Sequence, residues 1–551
     1  MVADRHTLSV PLSFGQTRLR RRAADLSLAA GPALFLIVLV VWPLVAVLVR
    51  SLEGVGPERV AEVLGRGSVR SVVAFTVGQA VLSTVLTLAL GLPVARVVAR
   101  YRFPGVRVLR ALVVVPFVLP TVVVAAAFAA LFERYAPGWR YSLVPVLAAH
   151  VFFNLAVVVR VVGGYWAGAD RRLDEAAQVL GAGPWQVFRS VTVPQLGPVL
   201  AGSAVLVFLF TFTSFGIIRI LGGPGRATIE TEIFRYAVNR TEFDVAAVLA
   251  ALQLVVVLGL ATVSAAFQRR ISRAQRGRRR PTARAVSEGG WPARLWLAGA
   301  LMIVAVVIMV PVAVLVQGSL RVGDGYGFDN YRRLFTTGDL LPVSAARALA
   351  TSLQYALVAA AVASVVGVVA AVAVTGGSPL ARPLEVLTLV PLGVSAVTLG
   401  FGYLVAFTVF DLRRSVWLVP VSHAVIGLPF VLAAVVPALR SIDPRLREAA
   451  ATLGAGGLAV RRLVDWPLVR GAATTGAGFS AAVSLGEFGA TSFLSRGGDS
   501  FTAPLAVARL VSQPGAALRG QALALSVVIG VVVACVAALI EWRRSDRVTL
   551  L

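Results

Sequence analysis

About twelve apolar stretches of roughly 20 residues run along the chain, and they constrain its fold more than any other feature. A stretch of this length spans the hydrocarbon core of a bilayer as a helix. Helices are required there because hydrocarbon offers no water to bind open backbone groups. We therefore predict an all-α membrane protein with about 12 transmembrane helices, at 28–50, 72–95, 109–132, 142–165, 197–221, 244–266, 295–318, 350–374, 384–410, 415–438, 470–494 and 518–541.

The composition agrees with a membrane location and excludes one class of enzyme. Of the 551 residues, 58% are hydrophobic and 14% are charged, whereas soluble domains average about 45–50% apolar and about 25% charged residues. All 52 basic residues are arginine. Because a phosphate-binding Walker loop requires a lysine, the chain by itself is not a P-loop ATPase.

Arginine clusters predict which segments face the cytoplasm, since cytoplasmic loops are enriched in basic residues. These clusters lie at 18–22, 95–110, 268–294 and 541–551. We expect a multi-pass protein of a bacterial cytoplasmic (inner) membrane with both termini in the cytoplasm. The segment 268–294 holds nine Arg and one Glu. Attraction to anionic lipid explains this charge, so the expected partner is the lipid bilayer rather than nucleic acid.

Two polar cassettes of the same pattern interrupt the apolar stretches. EAAQVLGAGPWQVFRSVTVP spans 175–194 and EAAATLGAGGLAVRRLVDWP spans 448–467, an offset of 273 residues. At the same offset, His150 matches His423. The offset predicts two parallel six-helix repeats. The expected division is a cytoplasmic segment 1–27, a first domain 28–267, a basic linker 268–294, a second domain 295–541 and a tail 542–551.

Each cassette predicts a short helix, a turn and a second helix. Carboxylates favour a helix start, and glycine tolerates the left-handed conformation at a helix end. One such cassette would also fit an ordinary amphipathic surface loop, but two copies in register argue against that. The residues that define the elbows are the carboxylates Glu175 and Glu448, the alanines Ala176, Ala177, Ala449 and Ala450, and the glycines Gly181, Gly183, Gly454 and Gly456.

The cassettes resemble the EAA motif of ABC-importer permeases, through the Glu-Ala-Ala triplets, the glycines that follow and the final Pro194 and Pro467. Trp466 departs from the aliphatic residue that usually precedes the last proline. The resemblance implies a type I importer fold (MetI-like), in which each elbow couples to a groove of a separate ATPase. It also implies two ABC ATPase subunits and an extracellular or periplasmic substrate-binding protein. No cofactor is expected.

A fused pair of six-helix halves resembles the thiamine and ferric-iron branch of that family, as does the stretch 210–237. The resemblance implies that ATP-driven closure of the ATPases moves the elbows and opens a path for a small solute. It further implies that the loaded binding protein docks on outer segments such as 221–244 and 496–517.

Polar residues within the fifth and eleventh apolar stretches predict a substrate path. A carboxylate in a spanning helix usually faces a cavity or a partner. Glu487 would therefore meet a cationic substrate, pair with Arg219 or Arg160, or be a protonated, hydrogen-bonded acid. Phe215 and Phe488 are candidates for a gate or for ordinary packing. The path residues are Thr211, Thr213, Ser214, Phe215, Ser484, Glu487 and Phe488.

Other classes of protein fit the sequence less well. A secondary transporter of the major facilitator type also has twelve helices in two parallel halves, but the loop 95–110 lacks the acidic residue typical of that family. A non-transporting membrane scaffold is a further alternative. His150 and His423 have no acidic ligands nearby in the sequence, so we predict packing rather than a metal site. No Ser/His/Asp set indicates a membrane enzyme.

Overall fold

The computed structural model describes residues 26–53, 56–170, 172–275, 283–376, 380–408, 415–495 and 497–548. The arginine cluster at 18–22 and most of the basic linker lie outside these residues, as do the side chains of the tail beyond residue 540. The inferences drawn from those segments therefore stay predictions.

Helices form nearly all of the N-terminal half, as the apolar stretches predict. The half also contains the strand β1 (Tyr101–Arg102). Its helices are α1 Leu26–Ser51, α2 Pro57–Gly65, α3 Gly67–Arg100, α4 Val106–Val118, α5 Thr121–Tyr135, α6 Leu143–Ala167, α7 Arg172–Val179, α8 Pro184–Phe212, α9 Gly216–Leu221, α10 Ile229–Phe234 and α11 Phe243–Gln275.

The C-terminal half repeats this order of long and short helices. Strand β2 (Arg284–Ala285) pairs in parallel with β1, and β3 (Arg321–Val322) forms a hairpin with β4 (Gly325–Tyr326). The helices are α12 Val286–Leu320, α13 Asp329–Arg332, α14 Ala345–Thr375, α15 Ala381–Leu389, α16 Ala396–Ala406, α17 Leu418–Arg440, α18 Pro444–Thr452, α19 457–486, α20 Gly489–Leu494, α21 Ala503–Val511 and α22 Ala516–Val548.

The described residues contain nine helices long and apolar enough to cross a membrane, and the bent pair α4 and α5 would make a tenth. The expected count of about twelve is higher. The predicted stretch 384–410 is divided by a 3-10 turn at Val390–Gly393. The stretch 470–494 is divided because α19 ends at Gly486 and α20 begins at Gly489.

Three long helices pack together in each half: α3, α6 and α8 in the first, and α14, α17 and α19 in the second. In each group, a glycine on the first helix allows the second helix to approach closely. A Cβ on Gly91 would lie 2.7 Å from Val158 Cγ1, and a Cβ on Gly367 would lie 2.8 Å from Val431 Cγ1. Small residues commonly allow such contacts between membrane helices, where dispersion and not the hydrophobic effect drives packing.

Replacing Gly476 with alanine is expected to destabilise the second three-helix group. The new Cβ would lie 2.7 Å from Val431 Cα, a backbone atom that cannot move aside without shifting α17. We expect a loss of about 1–3 kcal/mol in the free energy of unfolding, measured by denaturant titration of the purified chain in detergent. Gly197→Ala is the control, because no atom lies within 4 Å of its added Cβ. Equal stability of the two variants would contradict this packing.

Each half also lends helices to the other. The first helix of the chain, α1, packs on α16, while α12 packs on α3 and α5. Tyr403 in α16 donates a hydrogen bond to the Leu39 carbonyl in α1, at 2.7 Å. The short helix α10 packs on α16, and its counterpart α21 packs on α5. The boundary between the halves is therefore built from α5, α10, α16 and α21.

Candidate coupling elbows and substrate path

The first cassette forms the helix–turn–helix that its sequence predicts. Helix α7 ends before Gly181, which has a left-handed backbone with φ 86°. The Gly181 N–H donates to the Gln178 carbonyl at 2.9 Å, and the Ala182 N–H donates to the Ala177 carbonyl at 3.0 Å. This is the hydrogen-bond pattern of a glycine-terminated helix. Pro184 then begins α8.

The second cassette forms the same elbow between α18 and α19. Gly454 has φ 87°, its N–H donates to the Ala451 carbonyl at 3.0 Å, and the Ala455 N–H donates to the Ala450 carbonyl at 3.0 Å. Gly457 starts the second helix where the first cassette has proline. The backbone therefore tolerates this difference without a change of shape.

Both elbows expose apolar side chains at their tips. Leu180 is 87% exposed and Leu453 is 88% exposed, and the neighbouring Trp185 and Leu458 are 72% and 80% exposed. We call these four residues the elbow tips. They occupy matching positions at the 273-residue offset. Exposed apolar patches on short polar segments are typical of surfaces that contact another protein.

The other predicted elbow residues divide into exposed and partly buried positions. The second alanine of each Glu-Ala-Ala triplet faces the body of the protein, whereas the first is exposed. Exposed are Glu175, Ala176, Gly181, Gly183, Glu448, Ala449, Gly454 and Gly456, whereas Ala177 and Ala450 are partly buried.

Each elbow is braced by a charged pair, in which the elbow supplies the acid in the first half and the base in the second. In the first, Asp174 pairs with Arg100 at 3.1 Å and accepts a hydrogen bond from Thr192 at 3.3 Å. In the second, Arg447 pairs with Asp465 at 2.7 Å. Asp174 and Arg447 are equivalent at the 273-residue offset, as are Thr192 and Asp465. Both braces reach a π-helical turn in α8 or α19.

Separating the second brace should cost about 1–2 kcal/mol of coupling energy, because the pair is charged, hydrogen-bonded and only partly screened by solvent. The cycle consists of Arg447→Ala, Asp465→Ala and the double variant. The free energy of unfolding in detergent gives the coupling energy. Additive single effects would show that the two side chains do not act together.

A buried histidine marks the point where α8 gives way to α9. His150, from α6, lies with Nδ1 3.0 Å from Ser83 Oγ and with Nε2 2.9 Å from Ser214 Oγ. Ser214 occupies the short break between the two helices. The imidazole therefore ties the helix break to two neighbouring helices.

The equivalent histidine holds the break between α19 and α20. His423 Nδ1 lies 2.8 Å from Ser484 Oγ, and Nε2 lies 2.8 Å from Thr491 Oγ1. The same Nε2 lies 3.1 Å from Glu487 Oε2. Ser214 and Glu487 therefore meet their histidines in the same way, although one is neutral and the other is acidic.

The Glu487 carboxyl is buried and fully hydrogen-bonded. Its Oε1 accepts from the Ala490 N–H at 2.7 Å, and its Oε2 accepts from the Thr491 N–H at 3.0 Å. Of the alternatives for Glu487, pairing with Arg219 or Arg160 is not found among the described residues, and the carboxyl is hydrogen-bonded instead. The helix break turns the carboxyl onto the first turn of α20, while the Arg219 guanidinium lies over the Phe234 ring.

The two threonines of the predicted path bond to their own helix. Thr211 donates to the Val207 carbonyl at 2.8 Å, and Thr213 donates to the Leu209 carbonyl at 2.9 Å. Their hydroxyls are therefore already satisfied in this conformation.

The two candidate gate residues stack on each other across the boundary between the halves. The Phe215 and Phe488 rings are 5.2 Å apart, with planes inclined by 24°. Phe234 of α10 lies 5.5 Å from Phe215 and 5.4 Å from Phe493. We call these four residues the aromatic cluster. Because Phe215 and Phe488 are equivalent in the two halves, they meet where a two-fold axis would pass.

The segments expected to be free outer docking loops are largely packed inside. Most residues of α10 and α21 are buried. Sequence reasoning missed the two carboxylates of α10, Glu230 and Glu232, which are 0% and 3% exposed. A Glu-Thr-Glu triplet inside the apolar run from Ile217 to Ala237 was the available signal. Glu232 pairs with Arg235 at 2.5 Å.

Within the described residues, no group of three or more His, Cys, Asp or Glu side chains could hold a metal ion.

Comparison with known proteins links the chain to one transport family. Residues 88–277 match the family described as binding-protein-dependent transport system inner membrane component. The chain is 27% identical over 447 residues to the thiamine transport system permease protein ThiP of Brucella abortus, covering 76% of this chain and 78% of the relative. It is 28% identical over 473 residues to ThiP of Salmonella typhimurium, covering 78% and 81%.

A sulfate permease is also similar. The sulfate transport system permease protein CysT of Escherichia coli is 28% identical over 268 residues, which cover 46% of this chain and 97% of the relative. The relatives therefore agree on the kind of protein but not on the solute.

Proposed function

Because the chain belongs to the family of binding-protein-dependent transport system inner membrane components, the permeases of ABC importers, we propose that it supplies both permease halves of one importer. Two separate ATPase subunits hydrolyse ATP, and a separate binding protein delivers the solute. Thiamine is the favoured cargo, since thiamine permeases match along most of the chain. Ferric iron has no such support among these relatives.

The pair of elbows carries this proposal. Leu180 and Leu453 make almost no contact within the chain, so their burial in an ATPase groove would contribute about 1.5–3 kcal/mol each. Glu175 and Glu448 stand beside them, exposed and available for charge contacts. An elbow in each half matches a pair of ATPases.

The halves 28–267 and 295–541 are proposed as parallel repeats joined by the linker 268–294. Matching elbows, histidines and braces at one offset support this division. So does the length of the sulfate permease, since nearly all of that protein corresponds to less than half of this chain. A parallel repeat would put both elbows on the same face of the membrane. Arginine distribution supports the cytoplasmic face for the elbows and for both termini.

Movement passes from an elbow to the aromatic cluster along a single helix. Helix α8 has 29 residues from Pro184 to Phe212, a length of about 43 Å at 1.5 Å per residue. It starts at the first elbow and ends three residues before Phe215. In the same way α19 runs from the second elbow to Glu487 and Phe488. When the ATPases close, the far ends of α8 and α19 move relative to each other. This movement separates the stacked Phe215 and Phe488 rings.

The proposed path lies between these helix ends. Ser214 and Glu487 lie at the breaks with the gate residues beside them. Thr213 directly precedes Ser214, and Thr211 and Ser484 lie about one turn earlier in α8 and α19. Opening the boundary between the halves would expose these polar atoms. ATP and the binding protein must favour different states of this boundary, otherwise hydrolysis would not drive transport.

Sulfate is the second candidate cargo, because the similarity to CysT covers nearly the whole of that permease. An uptake assay separates the candidates. Cells lacking this chain are complemented with the native chain and supplied with labelled thiamine or labelled sulfate. The native chain should restore thiamine uptake alone. Restoration of sulfate uptake alone would keep the importer and change the cargo.

Charge reversal at the elbows tests the coupling role in the same assay. Glu175→Arg with Glu448→Arg should lower uptake about tenfold or more, because like charges across an interface weaken the correct contact. Glu58→Arg is the matched control, an exposed glutamate on the short helix α2. Normal uptake by the double variant would remove both glutamates from the proposed ATPase contact.

A further inference from the structure

Glu230 is a buried carboxyl without a basic partner. It is 0% exposed, and its Oε1 accepts a hydrogen bond from the Gln253 amide. Its Oε2 has no hydrogen-bond partner among the described residues. The Ser395 hydroxyl is the second polar group that interacts with this carboxyl, and no charged side chain among the described residues does so. A membrane protein rarely keeps such a carboxyl without a function.

Its position is the boundary between the halves. Glu230 belongs to α10 of the first half, whereas Ser395 caps the start of α16 in the second half. Phe234 lies four residues further along α10, on the same face of the helix. That ring contacts Phe215 of the aromatic cluster. Glu230 therefore stands one helical turn from the stacked rings.

The second buried carboxyl, Glu487, reaches the same place from the other side. Ala396 follows Ser395, and a Cβ on Gly489 would lie 3.1 Å from Ala396 Cβ and 3.4 Å from Glu487 Oε1. The start of α16 thus lies between Glu230 and Glu487. Both Glu487 oxygens accept hydrogen bonds, whereas Glu230 Oε2 has no hydrogen-bond partner among the described residues.

On this geometry, and resting on the importer function proposed above, we propose that Glu230 is the charge-selecting residue of the path and that the cargo is an organic cation. When the halves part, Glu230 Oε2 and the face of Phe215 that stacks on Phe488 become accessible together. A carboxylate beside aromatic faces recognises an organic cation through charge attraction and cation–π contact. An oxyanion such as sulfate would be repelled by the same carboxylate.

The test uses the complete importer, meaning this chain with its ATPase and binding protein in proteoliposomes. The variant Glu230→Gln keeps the size and the hydrogen-bonding capacity of the side chain and removes its ability to ionise when the halves part. Glu232→Gln is the control, because it makes the same change on the same short helix at a carboxylate that is paired with Arg235. Labelled thiamine is the organic cation, and labelled sulfate is the anion.

We expect Glu230→Gln to lower thiamine uptake about tenfold or more, the size expected when a desolvated cation–carboxylate contact is lost. ATP hydrolysis stimulated by the loaded binding protein should stay within about twofold of the native complex, because the elbows are unchanged. Glu232→Gln should transport thiamine close to the native rate. Native thiamine uptake by Glu230→Gln would overturn the proposal and leave the importer function standing.

Two further outcomes separate this proposal from the importer function. A native complex that imports sulfate and not thiamine would overturn the organic-cation assignment alone. A native complex that imports neither, with no stimulated ATP hydrolysis, would overturn both. If Glu230→Gln does not assemble, Glu230→Asp keeps the charge and withdraws it by one methylene. The proposal then requires a several-fold higher KM for thiamine, and an unchanged KM would overturn it.

Discussion

Replacing the elbow-tip leucine of each elbow with glutamate, in the double variant Leu180→Glu with Leu453→Glu, is expected to abolish ATP-driven uptake while the chain stays folded. Both leucines are almost wholly exposed, so the change removes no packing within the chain. Burial of a leucine in a partner groove contributes about 1.5–3 kcal/mol. Because each ATPase meets one elbow, the loss of one such contact weakens the binding of each ATPase roughly 10- to 150-fold.

Co-purification of the ATPase with the tagged chain measures this effect, and thermal unfolding of the chain in detergent checks the fold. Leu180→Met with Leu453→Met is the matched control, because it keeps an apolar side chain of similar size. The control should retain the ATPase and uptake. Full retention of the ATPase by the glutamate variant would show that the tips do not lie in the interface.

Truncating the stacked rings, Phe215→Ala with Phe488→Ala, is expected to open a leak that does not need ATP. The two rings close the boundary between the halves at 5.2 Å, and their removal leaves a gap lined by the helix breaks. Passive release of a small solute from proteoliposomes should rise by about tenfold or more, since a missing aromatic side chain leaves an unfilled cavity.

Phe128→Ala separates leakage from general damage. Phe128 is also buried and packs against the Phe152 ring at 5.6 Å. This contact joins two helices of the same half and does not bridge the two halves. We expect it to lower stability by about 3–5 kcal/mol without passive release. If proteoliposomes with the Phe215→Ala/Phe488→Ala variant release the solute no faster than those with the native chain, the two rings do not form a gate.

The elbows could be predicted because they depend on local signals. Gly181 and Gly454 stand at the end of a short amphipathic stretch, where glycine favours a helix end, and the alanines of each Glu-Ala-Ala triplet are good helix formers. The exposure of Leu180 and Leu453 required the structure, since a leucine in an amphipathic segment is read from sequence as a core residue. Residues that are 273 positions apart then proved to have the same environment in the two elbows.

The helix breaks and their partners were harder to predict. Hydropathy is averaged over about 20 residues, so a break as short as Thr213–Phe215 does not lower it, and the sequence predicts a single span over 197–221. The partner of Glu487 was sought among arginines because the sequence shows charge and not direction. The break turns the carboxyl towards His423 and the first turn of α20. Glu230 escaped notice because its segment was read as an exposed loop.

Cross-linking from the elbow tips tests the central claim most directly. The sequence has one cysteine, Cys535, so Cys535→Ser gives a cysteine-free chain in which Leu180→Cys or Leu453→Cys adds a single thiol. We predict that each thiol cross-links to an ATPase subunit in native membranes, and that the two together link two ATPases to one chain. Tyr326→Cys, on the β3–β4 hairpin, should give no such product. Failure of both elbow thiols to reach an ATPase, with the Tyr326→Cys thiol reaching it instead, would contradict the account.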